Sequence, residues 1–349
     1  MTPFAPTAED LHRIVRDILI DELSRSRGAA FDAGAALRWT PDTLVRGGEV
    51  DLDSLERFTV AARLNETFAL YESGVEDNLL RAKTLGETVE VILAATSERF
   101  ETVAFYSGGT TGAPTPRRHA VAALEQEIEY LATRLAGVAR IIVAVPVHHI
   151  YGFLFGVMLP RALGVDAVVE RGSLLAGPRR PHRGDCVVAV PFLWERFSSS
   201  FPHWDGGITC VSSTAPLAEA TAASICAVRP AAVYEIYGSS ETGGVAIRDC
   251  CAGETAFTLF PYWCRADGDE EAEVRTPPPG ADTAGAPARY RLPDRIRWID
   301  GRHILPLGRR DAGEQVGGHN VDVEEARRRI LDTVPEVGDA ALRLGEDGR

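Results

Sequence analysis

At 349 residues the chain is about twice the ~100–200 residues of one domain, so two or three units are expected. Its 45% hydrophobic and 25% charged residues make an ordinary globular mix and exclude a disordered chain. A net charge of -13 excludes a general nucleic-acid binder, which needs a basic face to displace counterions.

The start, MTPFAPTAEDLHRIV, has neither the basic patch nor the apolar stretch of a signal peptide. No apolar run approaches the ~20 residues that span a bilayer. A cytoplasmic protein with no membrane partner is expected. Residues 8–98 read as helical. In LHRIVRDILIDEL, Leu11, Ile14, Val15, Ile18, Ile20 and Leu23 recur at roughly helical intervals behind the acids Glu9 and Asp10. A stretch bearing Gly, Ala and Pro, running to Gly48, reads as a long surface loop. VDLDSLERFTVAARLNETFAL reads as a second helix, capped by Asp53 or Ser54, with an inward face of Leu55, Phe58, Ala62, Leu64 and Phe68. A third helix is expected from near Thr84.

Beyond residue 100 short β-prone runs alternate with helices. TVAFYSG, RIIVAVPV, DAVVE, DCVVAVP, ITCVSS and AAVYEIYG read as strands, and AVAALEQEIEYLATRLAG and PLAEATAASICAV as helices. That alternation predicts an α/β fold with a mostly parallel sheet covered on both faces. Residues 267–287 read as a surface loop. The six cysteines, Cys186, Cys210, Cys226, Cys250, Cys251 and Cys264, contain no CxxC pair and no nearby CxxH. Zinc is therefore not expected, and reduced thiols are. Lys83 is the only lysine, so any chemistry that requires one has a single candidate.

The strongest local motif is TVAFYSGGTTGAPTPRRHA. A strand leads into Ser107, Gly108, Gly109, Thr110, Thr111 and Gly112, and a helix follows near Ala120. The glycines permit close backbone approach, and their N–H groups with the hydroxyls suit a phosphate chain. The motif is neither a Walker A loop nor GxGxxG, and alone it reads equally well as a structural turn.

Downstream stand VPVHHIYGF, SSTAPL, YEIYGSSETGG, LPDRIRW and LGRRDAGEQVGGHNVDVEEA. In this order they resemble the acyl- and aryl-adenylate-forming (AMP-binding) ligases, which include acyl-CoA synthetases, luciferases and the adenylation domains of peptide synthetases. The resemblance covers residues 102–345. It implies that residues 107–112 are the mobile phosphate loop, with Thr214 and Ala215 also at the nucleotide. Tyr237 resembles the aromatic stacked on adenine, and Gly238 the residue beside it lining the acyl site. Ser240 stands where the family has a threonine, and Glu241 where it has the Mg²⁺-binding glutamate. Asp294 and Arg309 resemble the ribose-binding pair, and Asp311 the hinge of the C-terminal subdomain. His149 matches the aromatic gate of the acyl pocket, which Tyr151 and Ser213 approach. Singly, Glu241 reads as a helix-start acid, Tyr237 as core packing and His149 as a satisfied core histidine.

The implied chemistry is ATP- and Mg²⁺-dependent activation of a small, aryl carboxylic acid and its transfer to a carrier-protein or coenzyme A thiol. There are departures. Where the phosphate loop ends in Pro-Lys, this chain has Pro114, Thr115, Pro116, Arg117 and Arg118, so the two arginines become the candidate phosphate ligands. Gln315 replaces a lysine of the hinge motif, and the family's C-terminal lysine has no counterpart before LRLGEDGR. Either the sequence is part of a longer protein, or the ligase is impaired and acts as a carrier- or ligand-binding protein.

Residues 8–98 carry a second resemblance, to an acyl carrier protein. The triplet Asp53-Ser54-Leu55 opens the second helix, where that family attaches 4′-phosphopantetheine. Ser54 is thus the candidate attachment site, and an ordinary helix N-cap explains the same residue. The expected organisation is a carrier-like helical domain (8–98), an adenylate-forming core (100–310) and the start of a C-terminal subdomain (311–349). The arrangement resembles ligases of aryl polyene and xanthomonadin-type pigment pathways, which load hydroxybenzoate-like acids onto a carrier protein.

Overall fold

The computed structural model describes residues 4–107, 115–169, 180–266, 272–275, 288–310, 313–316 and 319–322. Two packing units emerge. One comprises Met1–Phe105, Pro116–Ala132 and Pro146–Ala167, and the other Tyr106–Thr115, Thr133–Val145 and Val168–Arg349. They cut across the division expected near residue 100, because two later segments pack with the N-terminal helices.

In the first unit, Thr7 and Asp10 close a capping box at the start of α1 (Ala8–Arg27). The helix buries Leu11, Ile14, Val15, Ile18, Ile20 and Leu23, as their spacing predicts. The expected loop after it contains one short helix, α2 (Ala33–Ala36). Then follow α3 (Ser54–Phe68), α4 (Glu76–Leu79) and α5 (Leu85–Glu98), the last capped by Thr84. Strands β1 (Thr102–Ser107) and β2 (Thr115–Ala120) pair, and α6 (Val121–Arg134) follows directly. A buried rod of α7 (Ile150–Phe153), a π-helical turn (Leu154–Met158) and α8 (Leu159–Leu163) is absent from the sequence reading. Residues 150–159 are apolar on every side, so no periodicity marks them as helical. Among the described residues no helix is long and apolar enough to cross a membrane.

Helix α3 forms where expected, and Leu64 and Phe68 of its expected inward face are buried, but the other three residues of that face are not. Asp53, not Ser54, is its N-cap, in a capping box with Glu56. Leu55 and Phe58 are 75% and 60% exposed, and Ala62 is exposed with them. The buried face is Val60, Arg63, Leu64, Thr67 and Phe68. The reason is Arg63, whose guanidinium pairs with Glu22 at 2.8 Å and Asp21 at 3.4 Å on α1. A pattern read from hydropathy alone turns an arginine outward, whereas these ion pairs draw it in.

In the second unit the strands are β3 (Arg140–Val143), β4 (Asp166–Val169), β5 (Asp185–Ala189), β6 (Thr209–Ser212), β7 (Ala232–Ser239), β8 (Gly243–Asp249) and β9 (Phe257–Leu259). Helices α9 (Pro191–Phe197) and α10 (Glu219–Ala227) lie between them in sequence. Strands β10 (Trp263–Arg265), β11 (Ala272–Arg275) and β12 (Ala288–Arg291) make a separate antiparallel sheet. Thus part of the expected 267–287 loop is strand β11, and the rest lies outside the described residues. With β13 (Asp294–Trp298) and β14 (His303–Arg309), the large sheet runs β13-β14-β9-β8-β7-β6-β5-β3-β4. Its β3, β5, β6 and β7 neighbours pair in parallel, which is the predicted α/β part, and the sheet continues antiparallel from β7 to β13. Trp194, Phe197, Phe201 and Trp204 cover Val187, Cys210 and Val233 in its core. β15 (Gly313–Val316) and β16 (His319–Asp322) form a hairpin in which Gln315 faces Asn320.

The expectation of reduced thiols is corrected for one pair. Cys226, at the end of α10, is bonded to Cys251 in the turn after β8, with Cα atoms 5.6 Å apart. Their 25-residue separation matches no spacing rule, so only the fold pairs them. Neighbouring Cys250 is pushed up to about 11 by burial and then by the Glu235 carboxylate, which disfavours the thiolate that would attack the bridge. Cys226→Ser is expected to lower the stability of this unit by roughly 2–4 kcal/mol in urea unfolding. A dithiol reductant should shift the wild-type midpoint by the same amount and leave the variant's unchanged; an unmoved wild-type midpoint contradicts the assignment.

Candidate active site

The ends of β6 and β7 and the start of β13 carry eight of the residues singled out by sequence. Tyr237, on β7, donates its phenolic hydrogen to Asp294 Oδ2 at 2.8 Å, and its ring meets Phe257 edge-on at 6.1 Å. Two residues 57 apart in sequence, assigned separately to adenine and ribose, are therefore in direct contact. Asp294 faces Arg309 across the β13–β14 ladder, and Arg310 Nε donates to the Asp294 carbonyl at 3.0 Å. Tyr237, Asp294 and Arg309 are all half-buried, as a ligand-facing set should be.

The next residue, Gly238, sits at a register shift between β7 and β8. A Cβ there would collide with the Gly243 carbonyl oxygen, so no other residue fits without moving backbone. The bulge turns the chain into the 239–242 turn, which its own hydroxyls lock. Ser239 Oγ accepts from the Glu241 and Thr242 N–H groups at 3.2 and 3.3 Å, and Thr242 Oγ1 accepts from Ser239 N at 3.1 Å. Arg275 NH1 donates to the Thr242 carbonyl at 3.0 Å. Ser240 is half-buried, and Glu241 projects from this rigid turn with its side chain exposed. It is not a helix-start acid.

At the end of β6, Ser213 donates its hydroxyl hydrogen to the Ile236 carbonyl at 2.9 Å. Thr214 adopts φ +80°, a left-handed conformation costly for a β-branched residue. It is exposed, and Ala215 beside it is half-buried. Glu235 holds this loop: Oε1 accepts from Leu217 N at 2.9 Å, and Oε2 accepts from Arg248 Nε at 2.8 Å. Sequence reasoning missed Glu235; the signal was an acid in the middle of the apolar strand AAVYEIYG.

His149 and Tyr151 belong to the first unit. His149 is the N-cap residue of α7, half-buried, with its ring 4.1 Å from that of His148. Tyr151 is buried and packs on Phe155 at 5.3 Å. In the same unit Arg118 is engaged by Glu66 at 2.7 Å and lies over the Tyr71 ring, which ties this candidate phosphate ligand to α3. Lys83 is exposed there. Ser107 ends β1, while Gly108, Gly109, Thr110, Thr111, Gly112 and Asp311 lie outside the described residues.

Among the described residues no group of three or more His, Cys, Asp and Glu could hold a metal ion by itself. The single exposed carboxylate of Glu241 fits Mg²⁺ bound in the manner usual for nucleotides, through one or two carboxylates, substrate phosphates and water.

The chain is similar to several known proteins. The AMP-binding enzyme family matches residues 60–283. A 4-coumarate–CoA ligase of Halorhodospira halophila is 36% identical over 342 residues, covering 98% of this chain and 84% of that protein. One from Cereibacter sphaeroides is 35% identical over 319 residues, 88% of this chain and 72% of that protein. Among solved structures, a malonyl-CoA ligase with methylmalonyl-CoA and AMP bound has a TM-score of 0.51 at 22% identity. That match spans 69% of this chain and 59% of the other, and it is a likeness of fold.

Proposed function

The chain belongs to the AMP-binding enzyme family, and from that membership we propose that it is an AMP-forming acid–thiol ligase acting on a small aryl carboxylic acid. The observation that carries the reading is the Tyr237–Asp294 hydrogen bond, which fixes an adenine-stacking ring and a ribose-binding carboxylate on each other. In the first half-reaction the acid's carboxylate oxygen bonds to the α-phosphorus of ATP, and the bond to the bridging oxygen breaks, releasing pyrophosphate. In the second, a thiolate attacks the acyl carbonyl and AMP leaves. Tyr237, Asp294 and Arg309 orient the nucleotide, and the strained Thr214 with Ala215 presents backbone to it. Glu241 would hold Mg²⁺, which neutralises phosphate charge.

His149 and Tyr151 support an aryl acid, and so do the relatives named for 4-coumarate. The same names favour coenzyme A as acceptor over the carrier protein of the pigment-type ligases. A pyrophosphate-release screen with 4-coumarate, hydroxybenzoates and straight-chain fatty acids tests the reading. Release with an aryl acid is expected. Nucleotide binding without release from any acid by the full-length natural protein supports the impaired, ligand-binding homologue.

The carrier-like reading of residues 8–98 is supported by Ser54, exposed at the first turn of α3 and relieved of capping by Asp53. Against it, α1 is anchored within the ligase unit: Arg13 reaches the Ala167 carbonyl at 3.2 Å, and Arg161 pairs with Asp10. A carrier must swing between partners, and this helix is tied down. Incubation with a broad phosphopantetheinyl transferase and coenzyme A is therefore expected to add no mass. A gain of one phosphopantetheine, lost in Ser54→Ala, restores the carrier reading.

A further inference from the structure

We propose that Asp17 and Asp21 of α1 are positioning residues for acid recognition, holding the 146–150 turn that presents His149. The inference rests on the reading of His149 as part of the acid site. The two carboxylates are four residues apart and so share one face of α1. Asp17 is 0% exposed and accepts from Val147 N at 2.9 Å, with Arg16 Nε 3.9 Å from its other oxygen. Asp21 Oδ2 lies 3.6 Å from His148 Nε2, and the His148 ring lies 4.1 Å from that of His149, tilted by 40°. One carboxylate thus fixes the backbone entering the turn, and the other fixes the ring against which His149 rests.

Fold stability alone does not explain these residues. Asp17 stands among Ile14, Val15, Ile18 and Leu19, where a leucine would extend the apolar stripe without the cost of burying a charge. The turn they hold has little freedom of its own. A Cβ on Gly152 would collide with the Pro146 carbonyl oxygen, and Phe153 N donates to the His149 carbonyl at 2.8 Å. The His149 backbone is therefore clamped by α7 on one side and α1 on the other. Burial alone would raise the Asp21 carboxyl, but His148, Arg25 and Arg63 outweigh it and hold the group well below its ordinary range. Asp21 thus remains the charged partner of the His148 ring.

The test follows the ring signals of His148 and His149 by NMR while 4-coumarate, or AMP in a separate arm, is titrated into wild type, Asp21→Asn and Asp21→Glu. Asp21 is partly exposed, so its substitution is the milder one, and thermal melting of each variant checks the fold. In wild type 4-coumarate should shift the His149 signals. Asp21→Asn should move both rings and weaken 4-coumarate by about tenfold with AMP affinity unchanged, and Asp21→Glu should recover part of the loss. An equal loss for 4-coumarate and AMP, or unchanged 4-coumarate affinity in Asp21→Asn, overturns the positioning role while leaving the acid site intact. Wild-type His149 signals that ignore bound 4-coumarate remove that site and the inference together.

Discussion

Glu241→Gln should slow adenylation by roughly two orders of magnitude, about 2.7 kcal/mol in the barrier. The substitution keeps the shape of the side chain and removes its charge. In the 239–242 turn the backbone is held by Ser239 and Thr242 hydroxyls and by Arg275 from β11, none of which needs the Glu241 carboxylate. The fold should therefore survive, and the loss should fall on the Mg²⁺-dependent step alone. Pyrophosphate release at saturating ATP measures it, and AMP binding without metal is the control that should stay at the wild-type level. Activity within a factor of a few of wild type removes Glu241 from the site.

Asp294→Ala should weaken AMP by the ~1.5–3 kcal/mol typical of hydrogen bonds to a charged group, or about 10- to 150-fold in Kd. The structure adds a second cost to the loss of ribose contacts, because the same carboxylate fixes the Tyr237 hydroxyl. Tyr237→Phe separates the two. It keeps the stacking ring and removes only the internal hydrogen bond, so its loss should stay near ~0.5–1.5 kcal/mol. Calorimetric titration of the two variants should therefore rank Asp294→Ala as the more damaging. Unchanged affinity in Asp294→Ala shows that the ribose role is wrongly assigned.

The sequence by itself determined the elements whose signals are local. The apolar stripe of α1, the short β-rich runs that became β3, β5, β6 and β7, and the helix starts near Asp53 and Thr84 are all read within one or two turns of chain. The motif YEIYGSSETGG was legible for the same reason, since it is contiguous, but the turn it forms was not. Tertiary structure alone decided what depends on partners far away in the chain. Arg63 turns into the buried face of α3 because its counter-ions stand on α1, 41 and 42 residues earlier. Cys226 and Cys251 bond because the fold brings the end of α10 to the turn after β8. Asp17 meets Val147 across 130 residues, and Tyr237 meets Asp294 across 57. Hydropathy periodicity records which side of an element is apolar. A charge or a thiol is drawn inward only when another element supplies its partner, and that free energy is not written in the spacing of any one segment.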